Sequence, residues 1–178
     1  MVSSVKELFG GAITITLPSR IINASDLREV PDTQEVFLYP DSSVSIIIDV
    51  LQRVDPEDSN EAARLHFANL AHDNDADNSI VHDIIVIPND RGDNTPSPIV
   101  LAGTQSVKKF NQSVPDEVRI LLALYRVKDK NVDLLLTYNV PVRAIDQGAV
   151  GEEGFKNVKE DFDRAVQTLR VVDFGLFA

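Results

Sequence analysis

An α+β fold, with helices packed on a largely antiparallel β-sheet, is what this chain of 178 residues predicts. Three observations carry that reading. Segments with strand patterning far outnumber the two with helical patterning. The links between strand segments are mostly too short for the crossovers that parallel pairing requires. The two richest apolar segments, 119–127 and 132–138, are separated only by Lys128-Asp129-Lys130-Asn131, which predicts a hairpin at the centre of the sheet.

From Ala12 to Leu17, Ile13, Ile15 and Leu17 alternate with Thr14 and Thr16, as in a half-buried strand. Gln34–Tyr39 sets Val36 and Leu38 against Glu35, Phe37 and Tyr39. Val44–Leu51 carries the run Ile46-Ile47-Ile48, which suits burial on both faces. Ser79–Ile87, Ile99–Phe110, Val118–Val127 and Val132–Val140 complete the strands. Asp55 followed by Pro56 reads as an N-cap with proline at the first helical position, and Glu57, Asp58 and Glu61 fill the first turns. That helix runs to about Leu70 with Ala63, Phe67 and Leu70 inward. A second helix spans about Glu152–Arg170, where Phe155, Val158, Phe162, Ala165, Val166 and Leu169 form one apolar stripe. The loops Ala71–Asn78 and Pro88–Pro98 read as mobile polar excursions, and the apolar end Val171–Phe177 as docked.

This length suits a single domain over residues 1–178, large enough to bury a core without a staple. Cysteine is absent, which excludes a disulfide framework, a thiolate metal site and a cysteine nucleophile. Residues 1–20 show no secretory signal, and no apolar run is long enough for a membrane helix. The net charge is −11, and residues 49–93 alone hold eleven acids against three arginines. Such a field repels nucleic acid and anionic membrane and attracts basic protein surfaces. A monomer is expected, because the apolar positions are used up by the sheet and the two helices.

Several motifs invite chemistry that their details do not support. Asp73-x-Asp75-x-Asp77 copies the opening of a calcium loop, but Asn78 stands where glycine is needed and Ile84 where the bidentate glutamate belongs. His66, His72 and His82 lack metalloprotease spacing. Gly10-Gly11 leads into a strand rather than a helix, so it reads as a tight bend and not a phosphate cradle. Arg91-Gly92-Asp93 reads as a turn. No catalytic residue, cofactor site or metal site is assigned.

The most informative stretch is Ala24–Phe37. It places Asp26, Glu29, Asp32 and Glu35 within ten positions around the stiff Val30-Pro31 step, and ends in the alternation of a strand. A capped helical turn followed by a solvated loop would account for it locally. A stiff, exposed acidic ledge for a basic partner is the sharper reading.

Four segments occur in a telling order: Leu8-Phe9-Gly10-Gly11-Ala12-Ile13, Asp26–Val36, Asp133–Pro141 and Val171–Phe177. Together they resemble the Mog family, the Ran guanine nucleotide release factors. The specific part is Leu-Phe-Gly-Gly-Ala followed by Val-Pro-Asp-x-Gln-Glu-Val, and the resemblance covers nearly the whole chain. It implies a non-enzymatic nuclear protein, with the cytoplasm as a second location, that binds the GTPase Ran, promotes release of its nucleotide and supports nuclear protein import. An accessory Ran-binding protein is a further candidate partner. By the same resemblance Asp32 and Glu35 are the first candidates for contact with Ran, and Asp26 and Glu29 the next. Asp26 has the alternative role of a dipole partner in the local helical turn. The Mog fold is similar to that of the photosystem PsbP proteins, so a small-ligand binder with a cavity between sheet and helix is the alternative.

Overall fold

The computed structural model describes residues 2–108, 113–145 and 147–178. Its strands are β1 (Ser3–Leu8), β2 (Ile13–Pro18), β3 (Ile22–Asn23), β4 (Gln34–Leu38), β5 (Ser45–Gln52), β6 (Asn78–Val86), β7 (Ile99–Val107), β8 (Asp116–Val127), β9 (Val132–Arg143) and β10 (Arg170–Val171). Helix α1 (Ser59–Asp73) lies between β5 and β6, and α2 (Gly151–Thr168) between β9 and β10. Seven strands form one sheet in the order β3-β4-β5-β9-β8-β7-β6, and three form a second in the order β1-β2-β10. Every pairing is antiparallel, and the β8–β9 hairpin lies at the centre of the large sheet, both as the sequence predicts. The expected strand 99–110 is described as far as Val107, and its last two residues lie outside the described ones.

The large sheet separates two apolar cores. On one face Ile46, Ile48, Tyr125, Leu136 and Tyr138 pack with Val158, Phe162 and Val166 of α2 and with Ile13, Ile15 and Leu17 of β2. Tyr138 and Phe162 meet edge to face at 5.3 Å, which fills the space beneath α2. On the other face Ala62, Ala63 and Phe67 of α1 pack over Leu101, Ile120, Leu122 and Leu124. This close approach depends on Gly103, because a Cβ there would lie 2.7 Å from the Phe67 ring. Ile47, within the apolar run of β5, is only half-buried, because α1 covers β6 and β7 and leaves the β5 end of that face open.

The most deeply buried charge among the described residues lies on β9. Asp133, fully buried on β9, accepts hydrogen bonds from His66 Nε2 of α1 at 2.8 Å, Arg126 Nε of β8 at 3.0 Å and the Val54 amide at 3.1 Å. Arg126 in turn donates to the carbonyls of Val54 and Pro56. These bonds hold residues 54–56 out of the helix. The helix therefore begins later than Asp55-Pro56 suggests: Asp58 is the N-cap, accepting from the Glu61 amide at 3.0 Å.

The loops also differ from expectation. Ala71–Asp73 is the last turn of α1, so the first loop shrinks to residues 74–77. The Pro88–Pro98 segment is anchored rather than loose. Asn89 donates to Asp93 at 2.9 Å and to the Thr95 carbonyl at 2.8 Å. Arg91 donates to the carbonyls of Gln167 and Leu169, capping the C-terminal end of α2. Burial would raise the Asp93 carboxyl, but hydrogen bonds from Thr95 and Asn89 and the Arg91 charge outweigh it and bring it down to about 2. The terminal segment is docked as expected. β10 pairs with β2, and Phe177 is buried in the larger core with its ring 6.1 Å from that of Phe174, although Val172 points outward.

Two outcomes follow. Truncation after Asp173 removes Phe174, Leu176 and Phe177 and should cost roughly 3–6 kcal/mol in urea unfolding; an unchanged midpoint would contradict the docking. Burial alone would raise Asp133, but its bonds from His66, the Val54 amide and Arg126 hold its carboxyl below the usual range. A depressed carboxyl contributes stability that is fully present above its unfolded value of about 3.9 and is lost as pH falls through the folded value. Asp133→Asn should therefore cost about 3–5 kcal/mol at neutral pH, by leaving Arg126 uncompensated, and should flatten the acid limb of the stability curve.

Candidate partner-binding surface

The acidic ledge connects β3 to β4 at one edge of the large sheet. Its entry is a single 3₁₀ turn, Ala24–Asp26, capped by Asn23, whose side chain accepts from the Ser25 amide at 3.0 Å and the Ser25 hydroxyl at 2.8 Å. Asn23, and not an acid, thus supplies the cap, while Asp26 lies in the first turn where the local dipole favours it. From Leu27 to Pro31 the chain is irregular, and a Gln34 amide to Pro31 carbonyl bond of 2.9 Å turns it into β4.

Asp26, Glu29 and Asp32 are exposed along this ledge. Ser25 to Asp32 together line a shallow open depression. Leu27 is 68% exposed among these acids, so the ledge offers an apolar contact as well as charge. Among the described residues none of the four predicted carboxylates has a cationic partner in an ion pair. Unneutralised carboxylates of this kind favour a basic partner electrostatically.

Glu35 differs from the other three. It lies on β4, half-buried, on the sheet face that carries Phe37 and Ile48. Its Oε2 accepts the backbone N–H of Phe9 at 3.0 Å. Phe9, Gly10 and Gly11 have φ of 52°, 68° and 94°, so three successive residues of this β1–β2 turn are left-handed before Ala12 returns to a φ of −68°. The glycines adopt such angles without penalty and make the tight bend that the sequence predicts; a phenylalanine does not. The same turn receives the end of the chain, since Ala12 O accepts from the amides of Val172 at 2.8 Å and Asp173 at 3.1 Å. Three segments far apart in sequence thus meet at Phe9–Ala12. Reasoning from the sequence placed the ledge but missed this junction, whose one available signal was a glycine pair directly after an aromatic residue.

A second concavity runs between α1 and the uncovered end of the large sheet. Gln34, Asp49, His66, Asn69, Asp73 and Thr137 line it. Burial raises the Asp49 carboxyl above its ordinary range, against a hydrogen bond from Gln34 and the influence of His66. The groove is open, unlike the filled space beneath α2, and mixes these polar groups with Ile47, Leu51, Val54, Leu70 and Leu135. Of the three histidines, His66 is taken by Asp133, His82 pairs with Thr104 at 2.6 Å and His72 is exposed. Among the described residues no three His, Asp or Glu side chains converge as metal ligands would.

Residues 6–141 match the family model described as Ran-interacting Mog1 protein. The Ran guanine nucleotide release factor of Homo sapiens is 35% identical over 96% of this chain and 94% of that protein. That of Danio rerio is 33% identical over 97% and 98%. The nuclear import protein MOG1 of Saccharomyces cerevisiae is 29% identical over 97% of this chain and 84% of its own length. The solved structure of the Saccharomyces cerevisiae Ran-binding protein Mog1p superposes with a TM-score of 0.75 at 27% identity, covering both chains completely. The expectation drawn from four short segments is therefore met across nearly the whole sequence: the chain belongs to the Mog1 family of Ran-interacting proteins.

Proposed function

We propose that this protein binds the GTPase Ran, promotes release of its guanine nucleotide and so supports nuclear protein import, acting as one non-catalytic domain over residues 1–178. The observation that carries the reading is an exposed ledge on which Asp26, Glu29 and Asp32 outnumber the single cation Arg28 and form no ion pair among the described residues, within a chain of this family. The relatives named Ran guanine nucleotide release factor and nuclear import protein support it.

The mechanism needs no catalytic base. A GTPase holds its nucleotide through Mg²⁺, a phosphate-binding lysine and ordered switch loops. A partner that prefers the nucleotide-free form must weaken nucleotide affinity by the same factor through which nucleotide weakens the partner. Asp32 and Glu35, with Asp26 and Glu29 beside them, form the Ran-facing surface in this reading. Exposed carboxylates there compete with phosphate for lysine and arginine groups, and Leu27 adds an apolar contact. The protein acts as a monomer in the nucleus, with the cytoplasm as a second location and an accessory Ran-binding protein as a further partner.

Replacing Asp26, Glu29 and Asp32 together by Asn, Gln and Asn should weaken Ran affinity about tenfold or more and slow nucleotide release, with little change in melting temperature. The loss should shrink as salt rises, because these charges are screened over roughly 8 Å at physiological ionic strength. Neutralising the exposed Asp73, Asp75 and Asp77 is the control. It should change long-range steering alone, and a loss of binding there but not on the ledge would move the surface to the α1–β6 loop.

A further inference from the structure

We propose that the groove between α1 and the open end of the large sheet binds a small organic cation, a guanidinium or ammonium group on an aliphatic stem, with Asp49 as the carboxylate that receives its charge. The site does not rest on the Ran-binding reading above.

Strand alternation builds the floor of this groove. Ile46 and Ile48 of β5 and Leu136 and Tyr138 of β9 turn into the core beneath α2, so Ile47, Asp49, Leu135 and Thr137 turn to the face that carries α1. Gln34 and Leu135 stand opposite Asp49 on its two neighbouring strands, and Thr137 stands opposite Ile47. His66, Asn69, Leu70 and Asp73 follow one stripe of α1 and form the wall. The space between floor and wall is about 400 Å³. Small-ligand sites run from roughly 300 to 1,000 Å³ and combine an apolar lining with a few placed polar groups.

Two polar groups in the groove lack a full set of partners. Asp49 is half-buried and forms no ion pair among the described residues, and burial pushes its carboxyl up despite a hydrogen bond from Gln34 and the influence of His66. His66 itself has Nε2 committed to Asp133. Thr137 is 2% exposed and lines the groove, and among the described residues nothing hydrogen-bonds its hydroxyl. A side chain buried to that degree is normally hydrogen-bonded. The lining holds two carboxylates, Asp49 and Asp73, and neither lysine nor arginine. A guanidinium or ammonium matches this set, because it carries the missing charge and only donates: to the Asp49 carboxylate and to the Thr137 oxygen. Its aliphatic stem then lies on Ile47, Leu51 and Leu135. An anion would be repelled, and a neutral ligand would leave Asp49 without its counter-charge.

The probes are butylguanidinium and N-butylurea, its neutral counterpart of similar shape, titrated into the full chain and followed by amide NMR signals. Butylguanidinium should shift the signals of Asp49, Asn69 and Thr137, and N-butylurea should bind at least about tenfold more weakly. Asp49→Asn should weaken butylguanidinium binding about tenfold and Thr137→Val about threefold. Glu160→Gln, on an exposed position of α2 across the sheet, should leave it unchanged. Equal binding of the two probes, or an Asp49→Asn variant that binds like the parent, would overturn the proposal. So would an equal loss in Glu160→Gln, which would reduce the effect to general attraction by an acidic protein. A capped Gly-Gly-Arg-Gly-Gly peptide should bind more weakly than butylguanidinium, and tighter binding of the peptide would overturn the assignment to a small molecule and give the groove to a protein segment. If Asp49→Asn fails to fold, the comparison of the two probes on the parent chain still decides.

Discussion

The burial of Asp133 is the constraint on which the arrangement of the sheet and α1 depends. A carboxylate in the central strand pair is costly unless its hydrogen-bonding capacity is filled, and His66, Arg126 and the Val54 amide fill it from three separate segments. Each of these bonds fixes something else. The Arg126 bond ties the two halves of the central hairpin, the His66 bond fixes α1 over the sheet, and the Val54 bond fixes the link between β5 and α1. Because α1 is seated over β6 and β7, the other end of that face stays open as the groove around Asp49. Apolar packing would tolerate small rotations of the helix. A hydrogen-bonded triad does not.

Much of this was legible in the sequence, for reasons particular to each segment. Strands with alternation, such as Ile13-Thr14-Ile15-Thr16-Leu17, announce themselves because one face is buried and the other is not. The apolar stripe of α2 is equally plain. β1 escaped because only Leu8 of its six residues is buried, so Ser3-Ser4-Val5-Lys6-Glu7 carries no period. The two-residue strands β3 and β10 are too short for any period to develop. The helix start was misplaced because Asp55-Pro56 and Asp58 offer competing caps, and the choice is made by Arg126, some 70 residues away. Buried polar networks are poorly legible in general: an Arg126 and an Asp133 flanking a hairpin turn look like ordinary surface charges until the register places them side by side.

The ledge shows the same limit at the candidate site. Composition revealed four acids with one periodic spacing, and nothing in that spacing separates Glu35 from the rest. Their difference comes from strand alternation: residues 26, 29 and 32 precede β4, whereas residue 35 lies within it and points to the face shared with Phe37 and Ile48. The Phe9 amide waits on that face. Two of the segments that carry the family resemblance are thus joined by a physical bond, and a third reaches the same turn through Ala12.

The far edge of the large sheet has a consequence of its own. β6 leaves one side unpaired and exposes Ile80, Ile85 and Val86, each about half accessible. A long apolar edge of this kind is a template for strand addition by a second chain. The register of β6 against β7 shifts between Val81 and Asp83, and that irregularity places the polar pair His82-Asp83 in the middle of the strand. A bulge twists the edge, and a charge at its centre must be desolvated before another strand can lie along it. The irregular step and its charged residue therefore oppose strand addition along this edge, and straightening that step would remove the obstacle.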